Sequence, residues 1–325
     1  MKKALYLIAA TLMLFCSCTK EIEYTGGYEG EKLVLFSCAN PDTILTAAVY
    51  KSVFIYSRNQ DNCEQGLSGA KVTAIVNGKD TYAFREVKTV YDKESEDYWM
   101  HGGRDYDVEY VSDYTPKPGD HIVVKASCTG MKEVQGETTV PERPSVRLNK
   151  VSTEQNPDVN GLWQSVKMSV TINDPAEETN YYRMNVAGTG RFGVMGKFHY
   201  YDEWHSLYSN DILFYDTSIG GILDSIGGES AMVPEFFDDG SFNGLSRTFE
   251  VWFQKYYDPE NDSPFRLTVD NASESLYRYS RSIDAYNGND GITGIFGELV
   301  IIYSNVENGL GCVGAISGTE VSFQP

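Results

Sequence analysis

Three residues within one seven-residue stretch have side chains suited to metal chemistry. In His199-Tyr200-Tyr201-Asp202-Glu203-Trp204-His205 an extended strand puts His199, Glu203 and His205 on one face. Imidazole with carboxylate suits Zn²⁺ or a similar ion. The spacing works against a shared ion, because at about 3.3 Å per residue the two imidazoles stand ~20 Å apart. Only a hairpin bend would bring both to one metal, and a metal-dependent hydrolase centred there is the remote enzymatic reading. Cys18 points to a different chemistry. Lys2 and Lys3 precede an apolar run from Ala4 to Phe15 that is too short to span a bilayer, and Phe15-Cys16-Ser17-Cys18 follows. This is the pattern of a signal peptide over residues 1–17, with Cys18 as the acyl acceptor of a bacterial lipoprotein. Cys18 is preferred to Cys16 because small Ser17 precedes it, whereas bulky Phe15 precedes Cys16. Each acyl methylene buried in lipid stabilises the anchor by about 0.8 kcal/mol.

Between Tyr91 and Tyr114 the aromatic residues Tyr98, Trp99, Tyr106 and Tyr110 are interleaved with Asp and Glu. Exposed, they would stack on sugars or form the apolar centre of a protein interface. Packed, they would be two Tyr-rich strands around His101-Gly102-Gly103. Asp258-Pro259-Glu260-Asn261-Asp262 alternates oxygen donors but lacks the Gly and distal Glu of an EF-hand loop, so it reads as a turn. Phe237-Asp238-Asp239-Gly240 and Asn287-Gly288-Asn289-Asp290-Gly291 read the same way. There is no G-x-S-x-G elbow and no H-E-x-x-H helix. With 46 acidic residues no carboxylate pair stands out as a glycosidase dyad. The expected protein is non-enzymatic and carries no cofactor.

Formal net charge over the 325 residues is −19. Removing Lys2 and Lys3 from the 27 basic residues leaves 25 against 46 acidic, or −21. Phosphate recognition needs clustered Lys and Arg, so the charge disfavours direct docking on anionic headgroups and no nucleic-acid partner is expected. Cys38, Cys63, Cys128 and Cys312 remain after Cys18. Cys38 follows Val34 and Phe36 at period two, and Cys128 follows Ile122, Val124 and Ala126. A Cys38–Cys128 bridge and two buried free thiols both fit that pattern.

The elements that must position these residues are mostly strands. Val72, Ala74 and Val76 alternate before Asn77-Gly78, with Thr81 to Phe84 beyond, a strong hairpin signal. His121 to Cys128 and Val134 to Val140 read as an antiparallel pair, closed by Pro141-Glu142-Arg143-Pro144. Further strands run through Val166–Ile172, Tyr182–Val186 and Phe249–Phe253, and Glu298–Tyr303 reads as a buried strand. One helix is expected, capped by Asn271 with Glu274 at its third position, carrying Leu276, Tyr279, Ile283 and Tyr286, and ended by Gly288. The expected fold class is all-β. After a tether over 18–28 come an immunoglobulin- or transthyretin-like β-sandwich over 29–144 and a larger β-rich domain with one notable helix over 145–325.

Two segments resemble a known family. Phe236-Phe237-Asp238-Asp239-Gly240-Ser241-Phe242-Asn243-Gly244 is similar to the "FxDxxFNG" stretch of a Bacteroidota outer-membrane lipoprotein family known only as a domain of unknown function (DUF4249-like). Ser304-Asn305-Val306-Glu307-Asn308-Gly309-Leu310-Gly311 resembles its "SNIxNGLG" signature. Thr19-Lys20-Glu21-Ile22-Glu23 resembles the Lys-then-acidic tag that sends such lipoproteins to the cell surface, and an ordinary solvated tether has the same composition. Asp42-Thr43-Ile44 and Asp224-Ser225-Ile226 resemble O-glycosylation triplets of these bacteria. The resemblance implies an accessory lipoprotein, lipid-anchored at the outer membrane on the surface or periplasmic leaflet. It would work beside a TonB-dependent receptor on a small molecule, peptide or glycan. It carries over no catalytic residue. Asp238, Asn243, Gly244, Asn305, Asn308 and Gly309 are expected to serve turns, since Asn-Gly pairs suit positive φ. The alternative function is a structural or adhesive, fimbrillin-like surface subunit that polymerises by strand exchange.

Overall fold

Period-two alternation builds eighteen strands, beside one α-helix, among the described residues of the computed structural model. It describes residues 30–52, 66–93, 105–155, 163–194, 197–215, 230–256, 263–288 and 300–325. The strands are β1 (Leu33–Ala39), β2 (Thr46–Lys51), β3 (Lys71–Val76), β4 (Asp80–Ala83), β5 (Arg85–Val90), β6 (Tyr106–Val111), β7 (His121–Ser127), β8 (Val134–Thr139) and β9 (Ser145–Gln155). They continue with β10 (Trp163–Asn173), β11 (Tyr181–Val194), β12 (Lys197–His205), β13 (Tyr208–Ser209), β14 (Ala231–Met232), β15 (Phe237–Asp238), β16 (Ser246–Tyr256), β17 (Phe265–Ala272) and β18 (Leu310–Phe323). Helix α1 spans Glu274–Gly288. The class is all-β, as the alternation predicts. Among the described residues no helix is long and apolar enough to cross a membrane.

A central sheet runs β12-β11-β17-β18-β1-β2-β6-β5, with β15 added beside β11. Two smaller sheets, β4-β3-β7-β8 and β14-β13-β16-β10-β9, cover one of its faces. The first core joins Leu33, Leu35 and Val49 to Val72, Ile122 and Val124, and the second joins Tyr182, Val186 and Leu267 to Val166, Phe249 and Phe253. Such cores follow from one apolar face per strand. Residues Glu31–Pro325 make one compact unit.

The strand β18 explains why. Its first half pairs in parallel with β1, from Val34↔Leu310 to Ala39↔Ala315. Its second half pairs antiparallel with β17, from Ala272↔Ile316 to Phe265↔Phe323. Val313 and Ala315 enter the first core and Phe323 the second. The turn at 141–144 lies between β8 and β9, but the central sheet runs across it.

The β3–β4 hairpin forms as expected, with Asn77 at φ 53° and Gly78 at φ 66°, the positive values a two-residue turn requires. Three expectations are corrected. Of Glu298–Tyr303, residues 300–303 are described and are not strand; Ile301 is 79% exposed, and the strand lies further on in β18. Asn271 belongs to β17, and the helix is capped by Ser273, whose Oγ accepts from Leu276 N at 3.4 Å. In β1 the core side is Leu33, Leu35, Ser37 and Ala39, so Cys38 is exposed on the opposite face. The apolar residues on that second face meet the helix instead, with Phe36 and Tyr279 ring centroids 5.7 Å apart. Cys38, Cys128 and Cys312 are all free thiols, which removes the Cys38–Cys128 bridge.

Candidate functional site

The family-like motifs turn out to hold strands together. Residues 305–308 run along the free edge of β8 and satisfy its outward carbonyls at every second residue. Asn308 Nδ2 donates to Glu133 O (3.5 Å), Glu307 N to Gln135 O (2.7 Å) and Asn305 Nδ2 to Glu137 O (2.9 Å). Alternate carbonyls of an antiparallel edge strand point outward, so this two-residue step fits the strand period. Asn305 also closes β18, accepting from Val313 N (2.9 Å) and donating to Val313 O (2.8 Å). On that flank β17 has not yet begun to pair. The start of α1 substitutes for it: Ser273 Oγ accepts from Ala315 N (2.9 Å), and Ser275 Oγ donates to Val313 O (3.0 Å). Asn308 sits at φ 58°, and a Cβ at Gly309 would come 2.6 Å from Leu33 O.

The other motif closes a buried polar cluster. Asp239 is 1% exposed; its Oδ2 accepts from Asn180 N at 2.8 Å, while its Oδ1 has no hydrogen-bond partner among the described residues. Burial raises the Asp239 carboxyl above the ordinary range, with the Asn180 N–H opposing and Asp174 adding to the rise. Asn271 Nδ2 donates to Asn180 Oδ1 at 2.7 Å, and Tyr182 OH donates to Asp174 Oδ1 at 2.6 Å. Gly244 N donates to Asp174 Oδ2 at 2.8 Å from a φ of 74°. Asn243 Nδ2 reaches Glu178 O, and Asp238 accepts from Gly240 N and Tyr277 OH. Asp238, Asn243 and Gly244 thus fold the turn, as expected.

The metal set does not assemble. The pairing of β12 with β11 runs without interruption from Lys197↔Val194 to His205↔Val186. No bend separates His199, opposite Phe192, from Glu203, opposite Gly188, and His205. The His205 ring lies 4.8 Å from Phe253 and 5.6 Å from Phe265, with its Nε2 buried and without a hydrogen-bond partner among the described residues. Burial pushes its pKa down, with Glu203 and a bond to the Gln254 backbone opposing. Among the described residues no group of three or more His, Cys, Asp or Glu is placed to hold a metal.

Of the aromatic candidates, Tyr98 and Trp99 lie outside the described residues, as does Cys18. Tyr110 is corrected: it is 1% exposed in the first core, its OH accepting from Ala70 N (2.9 Å) and donating to Leu67 O (2.6 Å). Tyr106 packs at the edge of that core with Lys88 Nζ 3.6 Å from its ring centroid.

Among the described residues, two recesses are candidate binding surfaces. The larger, about 480 Å³, lies between the edge of β8, the first turns of α1 and residues 303–307. Arg278 lies over Tyr303, 4.3 Å from the ring centroid, and 3.5 Å from Glu274 Oε1. On the opposite wall His121 Nε2 faces Glu137 Oε2 at 3.5 Å, and Gln135 Nε2 donates to Glu307 Oε2 at 2.7 Å. The smaller recess, about 360 Å³, lies on the far face of the central sheet. The Ser304–Gly311 motif contributes Asn305 and Glu307 to the larger recess, while the smaller has no local motif because it is assembled from strands distant in sequence.

Two β-sandwiches sharing one central sheet, with polar recesses beside the shared strand, define the class of this protein. It belongs to the family described as "Domain of unknown function (DUF4249)", whose model matches residues 19–322. No curated protein matches the chain.

Proposed function

We propose that this protein is a lipoprotein, anchored at the outer membrane through acylated Cys18, that binds a ligand for a neighbouring TonB-dependent receptor in nutrient uptake. One observation carries the reading: the family match begins at residue 19, immediately after the predicted acyl acceptor. The folded unit thereby follows the anchor through a short tether. The two polar recesses support the binding role, since ligand sites are concave and carry a few convergent polar groups. Net charge of −19 suits a partner other than nucleic acid.

The test is purification of the tagged full-length protein from detergent-solubilised outer membranes after palmitate labelling. Label retained by the wild type and lost in Cys18→Ala, with a receptor recovered in equal amount, supports the proposal. A labelled protein recovered alone removes the receptor partnership, and a ladder of itself favours the structural or adhesive alternative. An unlabelled wild type refutes the anchor.

A further inference from the structure

The smaller recess combines paired charges with one exposed aromatic side chain. Its floor is built from two guanidinium–carboxylate pairs. Asp270 is 6% exposed and takes Arg183 Nε and Nη2 on Oδ2, each at 2.9 Å. Arg143 spans both oxygens of Asp42, at 3.1 and 2.6 Å, and also donates to Gly318 O. Such pairs are planar, held in fixed orientation and rich in both donors and acceptors. Across the recess stands Trp204, 65% exposed.

The register explains how they meet. Trp204 pairs with Ala187 on the outermost strand β12, and Arg183 on β11 pairs with Asp270 on β17. Gly318, which receives Arg143, is the β18 partner of Asp270. From β12 to β18 there are three strand spacings, or ~14 Å at about 4.8 Å each. The recess is therefore elongated, with an apolar plate at one end and hydrogen-bonding planes along the other.

Charge limits what can bind. The guanidinium groups of Arg143 and Arg183 stand against the carboxylates of Asp42, Asp270 and Glu320, so most of the lining charge is paired and one carboxylate is in excess. A strongly charged ligand would have to compete with these pairs, and breaking Arg183–Asp270 would leave the buried Asp270 without its partner. A neutral ligand with many hydroxyls would not, because hydroxyls both donate and accept. It would also need one flat apolar face for the indole. Pyranose rings have this combination: an axial C–H face and an equatorial ring of hydroxyls.

We infer that this recess binds a neutral oligosaccharide, with Trp204 stacking on one sugar ring and the Arg183–Asp270 and Arg143–Asp42 pairs receiving the hydroxyls of the next. The inference rests on the ligand-binding role proposed above and names the ligand's class. A lone exposed tryptophan is common on protein surfaces, and what singles this one out is the paired polar floor across the recess from it.

The test is calorimetric titration of the detergent-solubilised full-length protein with maltohexaose, cellohexaose, xylohexaose and mannohexaose. At least one should bind saturably. Trp204→Ala should weaken that binding at least tenfold without changing the melting temperature, and Trp204→Phe should retain most of it. No saturable binding of any of the four sugars overturns the inference, as does binding that Trp204→Ala leaves unchanged. The two readings fail separately. Sugar binding without a co-purifying receptor leaves this site standing and removes the partnership. A co-purifying receptor without sugar binding does the reverse.

Discussion

Asn305 is the motif residue whose side chain ties β18 to β8. Its amide satisfies Val313 N and O on β18 and Glu137 O on β8 through three bonds of 2.8–2.9 Å. In Asn305→Ala, Val313 O keeps Ser275 Oγ, but Val313 N and Glu137 O lose the partners described above. A net hydrogen bond contributes about 1 kcal/mol, and an orphaned buried group costs about 1–3 kcal/mol. The sum is ~3 kcal/mol, against a total stability of ~5–15 kcal/mol for a typical domain. At ~2–4 °C per kcal/mol for a chain of this size, the melting temperature should fall by ~6–12 °C. Urea unfolding at pH 7, followed by tryptophan fluorescence, measures the free energy, and calorimetry the melting point. Asn305→Asp should be no better, because it sets a carboxylate against two carbonyl oxygens. Asn308→Gly should be nearly silent, since glycine accepts φ 58° and the lost bond is long at 3.5 Å. An Asn305→Ala loss below ~1 kcal/mol would refute the idea that this side chain joins the two strands.

Three further outcomes follow from the same structure. Gly311→Ala should leave little soluble protein, because φ is 112° and the added Cβ would collide with the Leu35 carbonyl oxygen; expression yield and a melting scan check this. Asp239→Asn should be more stable than wild type at pH 7. Because the folded-state pKa is raised, the native wild type takes up its proton first as pH falls. The wild type therefore gains stability as pH drops toward the unfolded value near 3.8, closing the gap, and paired urea titrations at pH 7 and pH 4.5 should show the convergence. His205 has the opposite sign. Its depressed folded pKa makes the unfolded chain bind the proton first, so wild type loses stability as pH falls through 6.5, and His205→Phe should lose less between pH 7 and pH 5.

Strand positions were legible because most faces obey a simple alternation, and β3, β7, β10, β11 and β16 fall where the apolar residues predict. Alternation misleads where both faces are covered. In β1 the residues Val34, Phe36 and Cys38 look like a core face, yet they lie on the outer face, where α1 covers Phe36. The cap of α1 was misplaced because Asn271 and Ser273 are both capping types, and only the β17 ladder excludes Asn271. The same habit hid Trp204. In His199–His205 the histidine face carries the recognisable chemistry, although alternation puts Asp202 and Trp204 together on the other. The smaller recess had no local signal, since Arg143, Arg183 and Asp270 meet only through sheet order.

The shared strand also sets an order of events. Val34 and Leu310 are neighbours in the sheet, so wherever the chain emerges from its N-terminus β1 appears long before its parallel partner. Until then the first core lacks Val313 and Ala315, and the second lacks Phe323. Closing so long a loop is entropically costly and slow, and it comes after the local hairpins have formed. The two sandwiches therefore complete together in one late step. Docking of β18, rather than local strand formation, is the event that makes this protein native.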